Sequence, residues 1–371
     1  MRPASRARFP HAREAGLELG EPKQSKDTLV TTPPRRATPR TAVALAGSLL
    51  AASALSGCGV FGSPDLVVYN AQHEQLLDEI IPLFEEESGL DVELRHGKDL
   101  EMANQIVEEG EDSPADVFLT ENSPAMTIVD NAGLFAELPE SATATIPEQY
   151  VPADRTWTGF LARSTVAMYN TDTMTEADMP ASILDFADPE WQGRVAFSPT
   201  GADFQAIVSA VLELEGEEAT AEWLAGLKAN GVIVQNNLVV MQSVDSGEVD
   251  AGIAYHYYWY RDRQENGTDS DTSALHFFGD QDPGAFLSIS GAGILASSEK
   301  QDAAQEFVTW LTGTEAQQAM AESYALEYPL NPDASLNPEV KPFDELEPPA
   351  VDVANLNGPQ VTDLMTAAGL L

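Results

Sequence analysis

A two-lobed α/β architecture with mostly parallel sheets is predicted for residues 65–371, and two observations predict it. Strand-like apolar runs alternate with helical periods in two separate sets, over 65–122 and over 194–258. Two longer extended runs, at 157–169 and 285–295, are long enough to cross from one set to the other. A cleft then lies between the lobes, and in open α/β sheets ligands gather outside the carboxyl ends of the strands.

The first set begins with Asp-Leu-Val-Val-Tyr over 65–69, a buried strand left through Asn70 to His73. Leu76, Leu77, Ile80, Ile81 and Phe84 recur at helical spacing, and Gly89 supplies the stop. A strand at 91–95, a helix at 100–109 and a strand at 115–119 complete a βαβαβ unit, which implies right-handed parallel crossovers. His73 and Glu121 thereby fall just past the ends of the first and third strands. A helix at 124–130 and the crossing at 157–169 follow.

The second set reads as a strand at 194–197, helices at 201–214 and 220–228, a strand at 232–235 and a helix around Met241. It closes on Asp250 to Arg261, where a short strand from Asp250 to Ala254 runs into Tyr255, His256, Tyr257 and Tyr258. After the return crossing at 285–295 come helices at 301–311 and 314–324, a proline-rich tail and a helix at 361–369. The lobes are expected to be discontinuous: 65–160 with about 275–320, and 161–274 with about 321–371.

Residues 1–57 form a separate leader. Its first forty residues are basic and contain proline, and 42–55 is an apolar run of signal-peptide length, too short to span a bilayer. It ends in Leu-Ser-Gly-Cys at 55–58, which resembles a bacterial lipobox, so Cys58 is expected to carry lipid and 58–64 to be a linker. The protein is then exported and lipid-anchored on the outer face of the cytoplasmic membrane, which it touches through the anchor alone. Cys58 is the single cysteine, so no internal disulfide can form.

From residue 58 onward ten Lys and Arg face 56 Asp and Glu, a net charge of −46. Nucleic acid is excluded as a partner by repulsion of its phosphates. The acids are scattered and read as a solvated surface, suited to cationic ligands or a saline habitat. No nucleophile elbow, P-loop, HExxH or dinucleotide glycine fingerprint is present, which argues against an enzyme.

An imidazole and a carboxylate on one side of the cleft, with two phenols on the other, suit a hard, highly charged cation, ferric iron above all. A calcium site would use more oxygens and no imidazole, and one cysteine makes no thiolate-rich zinc site. Phenols ionise near pH 10, so recruiting them at neutral pH takes a strongly Lewis-acidic ion.

The chain also resembles the ferric-ion-binding proteins of bacterial ABC uptake systems, which have the class II periplasmic binding-protein fold. The resemblance rests on phrases in shared order: Val-Tyr-Asn-Ala-Gln-His over 68–73, Ser-Pro-Ala-Asp-Val-Phe over 113–118 with Glu121, and Asp-Pro-Glu-Trp over 188–191. It continues with Ser-Pro-Thr over 198–200, Asn237 ahead of 242–250, Tyr-Tyr-Trp over 257–259, Asp-Pro-Gly over 282–284, Ser-Gly-Ala over 290–292 and Glu-Tyr-Pro-Leu-Asn-Pro over 327–332. The resemblance implies His73, Glu121, Tyr257 and Tyr258 as ligands of Fe3+, a monomer, and an ABC permease with its ATPase as partner. The same fold binding a polyamine, thiamine or a phosphonate is the alternative.

Many members of that family hold a synergistic carbonate or phosphate on a Ser-Gly-Ala turn at a helix N-terminus. Here the corresponding turn is Thr200, Gly201, Ala202 and Asp203, with the serine lost. Asp203 falls where the acid of a capping box would sit. The departure suggests that Asp203, or Tyr255 standing where relatives carry asparagine, replaces part of the anion's role. Asn122 and Asn237 match residues near the anion, and Arg163 is a candidate to balance it or a surface arginine. His96 is a spare ligand or a structural residue, His256 is expected to face away, and His276 to pack beside Phe277 and Phe278.

Overall fold

A computed structural model describes residues 63–266, 272–353 and 356–371. The leader, Cys58 and most of the linker lie outside the described residues. The first unit forms as its periodicities require: β1 (Leu66–Asn70), α1 (Glu74–Ser88), β2 (Val92–His96), α2 (Asp99–Glu109) and β3 (Val117–Leu119). β1 is flanked in parallel by β2 and β3. Leu76, Leu77, Ile80, Ile81 and Phe84 are the buried stripe of α1. α3 (Ser123–Asn131) and the short α4 (Glu140–Thr143) follow.

β4 (Trp157–Asn170) is buried along all fourteen residues and belongs to both halves. Residues 157–164 pair antiparallel with β9 (Leu287–Ile294), and 165–169 pair antiparallel with β7 (Ala251–Tyr255). Between these lie β5 (Val195–Phe197), α5 (Ala202–Asn230), β6 (Val232–Ile233) and α6 (Asn237–Asp245), with β6, β5 and β7 parallel. After β7 come α7 (His256–Asn266) and β8 (Ser273–His276), and after β9 come α8 (Gln301–Leu311), α9 (Thr314–Glu322), β10 (Tyr328–Pro329) and α10 (Gly358–Ala367). The strand order among the described residues is β2-β1-β3-β9-β4-β7-β5-β6, with β8 and β10 pairing β4. The sheet is therefore mixed: parallel inside each half, antiparallel where the two long strands tie the halves together.

The two helices expected at 201–214 and 220–228 are present as the two segments of α5, which meet at Gly216, whose non-helical φ of 83° suits glycine. Two features differ from expectation. β8 and β10 arise by pairing with β4, which their short sequences do not announce. The tail is also divided between the halves: Leu326, Tyr328, Leu330, Val340, Leu346 and Val353 pack in one cluster with Tyr69 and Phe118, whereas Val361 and Met365 of α10 pack with Phe204 and Val208 of α5.

Candidate metal centre

Four chain segments meet at one place. β1 leads through Gln72 to His73, the residue before α1. β3 leads to Glu121 and Asn122, the latter at the N-cap of α3. β7 ends at Tyr255, so Tyr257 and Tyr258 sit in the first turn of α7. Asp203 is the second residue of α5. Strand carboxyl ends and helix N-termini thus supply every donor, the arrangement that the sheet order favours.

Glu121 is the hub. Its Oε1 lies 3.6 Å from His73 Nε2 and 3.1 Å from Arg163 Nη1, and it accepts a 3.3 Å hydrogen bond from the Tyr257 hydroxyl. The Tyr257 and Tyr258 rings stack with centroids 4.2 Å apart, and His73 meets the Tyr257 ring edge-on at 5.2 Å. Tyr258 donates to Asp203 Oδ2 at 3.1 Å. Neighbouring donors around an octahedral ion with bonds of about 2 Å stand about 3 Å apart, close to the 3.3 Å between Glu121 Oε1 and the Tyr257 hydroxyl and the 3.1 Å between the Tyr258 hydroxyl and Asp203 Oδ2, with His73 Nε2 farther from Glu121 at 3.6 Å. Among the described residues no three His, Cys, Asp or Glu side chains are arranged by themselves to hold a metal. A site here depends on the phenol oxygens.

The acid at the expected anion turn behaves differently from a capping residue. Gly201 caps α5 with no side-chain bond, and the Asp203 carboxylate accepts from Asn237 Nδ2 at 2.8 Å, from Tyr258, and from Asn122 Nδ2 at 3.5 Å. No capping box forms, because the carboxylate faces donors from other elements rather than its own N-cap. Asn122 and Asn237, expected beside an anion, both donate to this carboxylate. Thr200 is exposed, and Gly201 and Ala202 are half-buried. Tyr255 is fully buried, and its hydroxyl donates to the Asp203 carbonyl at 3.2 Å and to Asn122 Oδ1 at 3.4 Å.

Two carboxylates join the site that sequence reasoning did not assign. Asp99, the first residue of α2, accepts from the backbone N–H of Glu121 at 2.9 Å and of Asn122 at 3.0 Å, and from Asn122 Nδ2 at 2.9 Å. It pins the loop that carries Glu121. Glu327 is fully buried, with Oε1 3.4 Å from His73 Nε2 and Oε2 accepting a 3.4 Å bond from Gln72 Nε2. Asp99 reads locally as an ordinary first-turn acid, and Glu327 is signalled only by the phrase 327–332 that carries part of the resemblance.

Crowding of acids sets the electrostatics. Burial, then the Glu121 charge, pushes Asp203 up to about 7 and Asp99 up to about 8. Burial pushes Glu327 up to about 7, with Arg163 opposing. Burial and the Asp203 charge hold the hydroxyls of Tyr255, Tyr257 and Tyr258 well above the usual phenol range. Burial, reinforced by Arg163, lowers His73 to about 3, so its imidazole is neutral and able to ligate. Arg163 is fully buried rather than a surface arginine; burial works against its charge, but Glu327, Glu121 and Asp203 outweigh that and hold it on. A multivalent cation brought to such a set of acids would displace protons that each acid otherwise retains against the others.

Among the described residues, the remaining histidines are engaged elsewhere. His256 is fully buried; its Nδ1 accepts from the Ser164 N–H at 3.2 Å and its Nε2 donates to the Leu326 carbonyl at 3.0 Å. His96 Nδ1 accepts from Asn70 Nδ2 at 3.0 Å, with Asp78 3.7 Å from Nε2. His276 packs edge-on to Phe278 and pairs with Glu176 at 2.7 Å.

Comparison with known proteins places this geometry in context. Residues 112–350 match the family model described as bacterial extracellular solute-binding protein. The chain is 50% identical over 306 residues to the Fe(3+)-binding periplasmic protein of Serratia marcescens, covering 82% of this chain and 90% of that one. It is 36% identical over 309 residues to a major ferric iron-binding protein of Neisseria meningitidis, covering 82% and 93%. The iron-bound structure of HitA from Pseudomonas aeruginosa superposes with a TM-score of 0.78 at 39% identity, over 82% of this chain and 99% of that one.

Proposed function

The chain belongs to the bacterial extracellular solute-binding proteins, among the periplasmic ferric-iron binders of ABC uptake, and on that premise we propose how its own residues capture Fe3+. The family consists of binding proteins, not enzymes. His73 and Glu121 from one side of the cleft and Tyr257 and Tyr258 from the other are the ligands. Asp203 supplies the anionic oxygen that many relatives take from carbonate or phosphate. The observation that carries this reading is the hydrogen-bonded run from Glu121 through the two stacked tyrosines to Asp203.

Two phenolates and Glu121 supply three negative charges to balance a trivalent ion, and Asp203 adds a fourth anionic oxygen. Because the ligands come from both sides, the ion draws the lobes together, and the permease recognises the closed form. Tyr255 supports the site as a proton donor to the Asp203 carbonyl. The protein acts outside the cytoplasmic membrane, tethered through lipid on Cys58.

Titration of the purified protein with ferric nitrilotriacetate tests this directly. A visible phenolate-to-iron band is expected at one equivalent, abolished or strongly weakened in Tyr257→Phe and in Tyr258→Phe. An undiminished band in both variants refutes the ligand assignment. Iron affinity unchanged by added phosphate or carbonate is expected, and strict dependence on either refutes the role of Asp203. Metabolic labelling with palmitate, lost in Cys58→Ala, tests the anchor.

A further inference from the structure

We propose that Arg163 and Glu327 form a charge-exchange pair: the guanidinium neutralises Glu121 until the cation arrives, and is then taken up by Glu327 as Glu121 turns to the ion. The inference rests on reading Glu121 as a ligand of the cation. Both residues are positioning residues, not ligands.

The two groups are fully buried, where an unpaired charge is costly. Arg163 Nη1 stands 3.1 Å from Glu121 Oε1, the same oxygen that receives the Tyr257 hydroxyl and faces His73. Metal and guanidinium therefore compete for one oxygen. Arg163 Nη2 donates to Ser290 Oγ at 3.3 Å, and Gln72 Nε2 donates to that Ser290 Oγ at 2.8 Å and to Glu327 Oε2 at 3.4 Å. Ser290 and Gln72 thus form a short polar bridge from Arg163 to Glu327. Among the described residues, Glu327 Oε1, Arg163 Nε and Arg163 Nη1 take part in no hydrogen bond although all are buried, and Glu327 Oε1 faces His73 Nε2 at 3.4 Å. Two unsatisfied and oppositely charged groups joined by such a bridge have a second arrangement available, in which the guanidinium leaves Glu121 for Glu327. A carboxylate placed only for packing would not leave a buried oxygen without a donor.

The pair makes a defined prediction for affinity. Without the Glu327 charge, Arg163 has no alternative partner and keeps competing for Glu121. Glu327→Gln preserves shape and still accepts from Gln72, so a loss of iron affinity in it reports charge.

The test is a double-mutant cycle on the full chain, reading ferric affinity by competition with citrate, the visible band, and thermal melting as a check of folding. E327Q is expected to lower affinity about tenfold, equivalent to about 1.4 kcal/mol, with the band position unchanged. In an R163Q background the same change is expected to cost less than about threefold, since the competitor is gone. Where R163Q does not fold, Glu327→Asp serves: it keeps the charge and is expected to recover affinity over E327Q, whereas a packing role would make it the worse variant. Unchanged affinity in E327Q, an equal loss with and without Arg163, or a shifted band marking Glu327 as a ligand would each overturn the exchange. Absence of any band in the unmodified protein would instead overturn the ferric reading on which it rests.

Discussion

Replacing Asp203 by asparagine is expected to stabilise the cation-free protein at pH 8 while weakening its hold on iron. The Asp203 carboxyl is raised from its ordinary 3.8 to about 7, chiefly by burial and then by Glu121. A raised carboxyl binds more protons folded than unfolded, so it costs nothing below pH 4, costs increasingly between pH 4 and 7, and costs its full amount above. At ~1.36 kcal/mol per unit, a shift of about three units is worth at most ~4 kcal/mol. Part of that is shared with Glu327, which the Asp203 charge also raises. Asparagine can place its carbonyl oxygen where Oδ2 accepts from Asn237 and Tyr258, at 2.8 and 3.1 Å, but its amide then faces Asn122 Nδ2, a donor 3.5 Å from Oδ1. That mismatch costs about 1 kcal/mol. The net gain at pH 8 is therefore about 2–3 kcal/mol, and at pH 4 the mismatch alone remains. Differential scanning calorimetry of D203N against the unmodified protein at both pH values measures it. An equal shift of the midpoint at pH 4 and pH 8 would refute the reasoning. Iron affinity should fall by at least the 10–100-fold typical of lost supporting groups, roughly, and be partly restored by phosphate or carbonate.

Three further outcomes are expected. Asp99→Ala leaves the buried N–H groups of Glu121 and Asn122 without their acceptor; at pH 4, where the raised Asp99 carboxyl carries no charge cost, chemical denaturation should show a loss of about 2–4 kcal/mol, and stopped-flow at neutral pH a faster iron off-rate, so a loss under about 1 kcal/mol at pH 4 would count against the pinning role. Gly291→Ala places a Cβ inside contact distance of Met126 Cγ and 3.2 Å from Thr120 Oγ1, which should cost about 1–3 kcal/mol in the same assay, and a neutral result would show that the crossing strand yields. With 56 acids against ten bases after residue 57, screening should raise the thermal midpoint between about 0.1 and 1 M sodium chloride; a midpoint falling steadily with salt would contradict self-repulsion as the dominant surface effect.

The sequence by itself determined the repeating units and the edge on which the donors lie. Leu76 to Phe84 at helical spacing, and the apolar runs of β1 and β3, are local patterns whose burial requires helix and strand whatever surrounds them. Once the βαβαβ order is read, His73 and Glu121 must leave neighbouring parallel strands at the same end. Tyr257 and Tyr258 follow from the end of β7 in the same way. Tertiary structure alone decided what those donors touch. Asp203 looks like a helix-capping acid from its own segment, yet its partners are 34, 55 and 81 residues away. Glu327 reaches Gln72 across 255 residues, and β8 and β10 exist only because β4 offers them an edge. A carboxylate's protonation and bonding depend on the charges and donors packed around it. Those come from chain segments whose approach is fixed by the docking of two half-sheets, which no local period encodes.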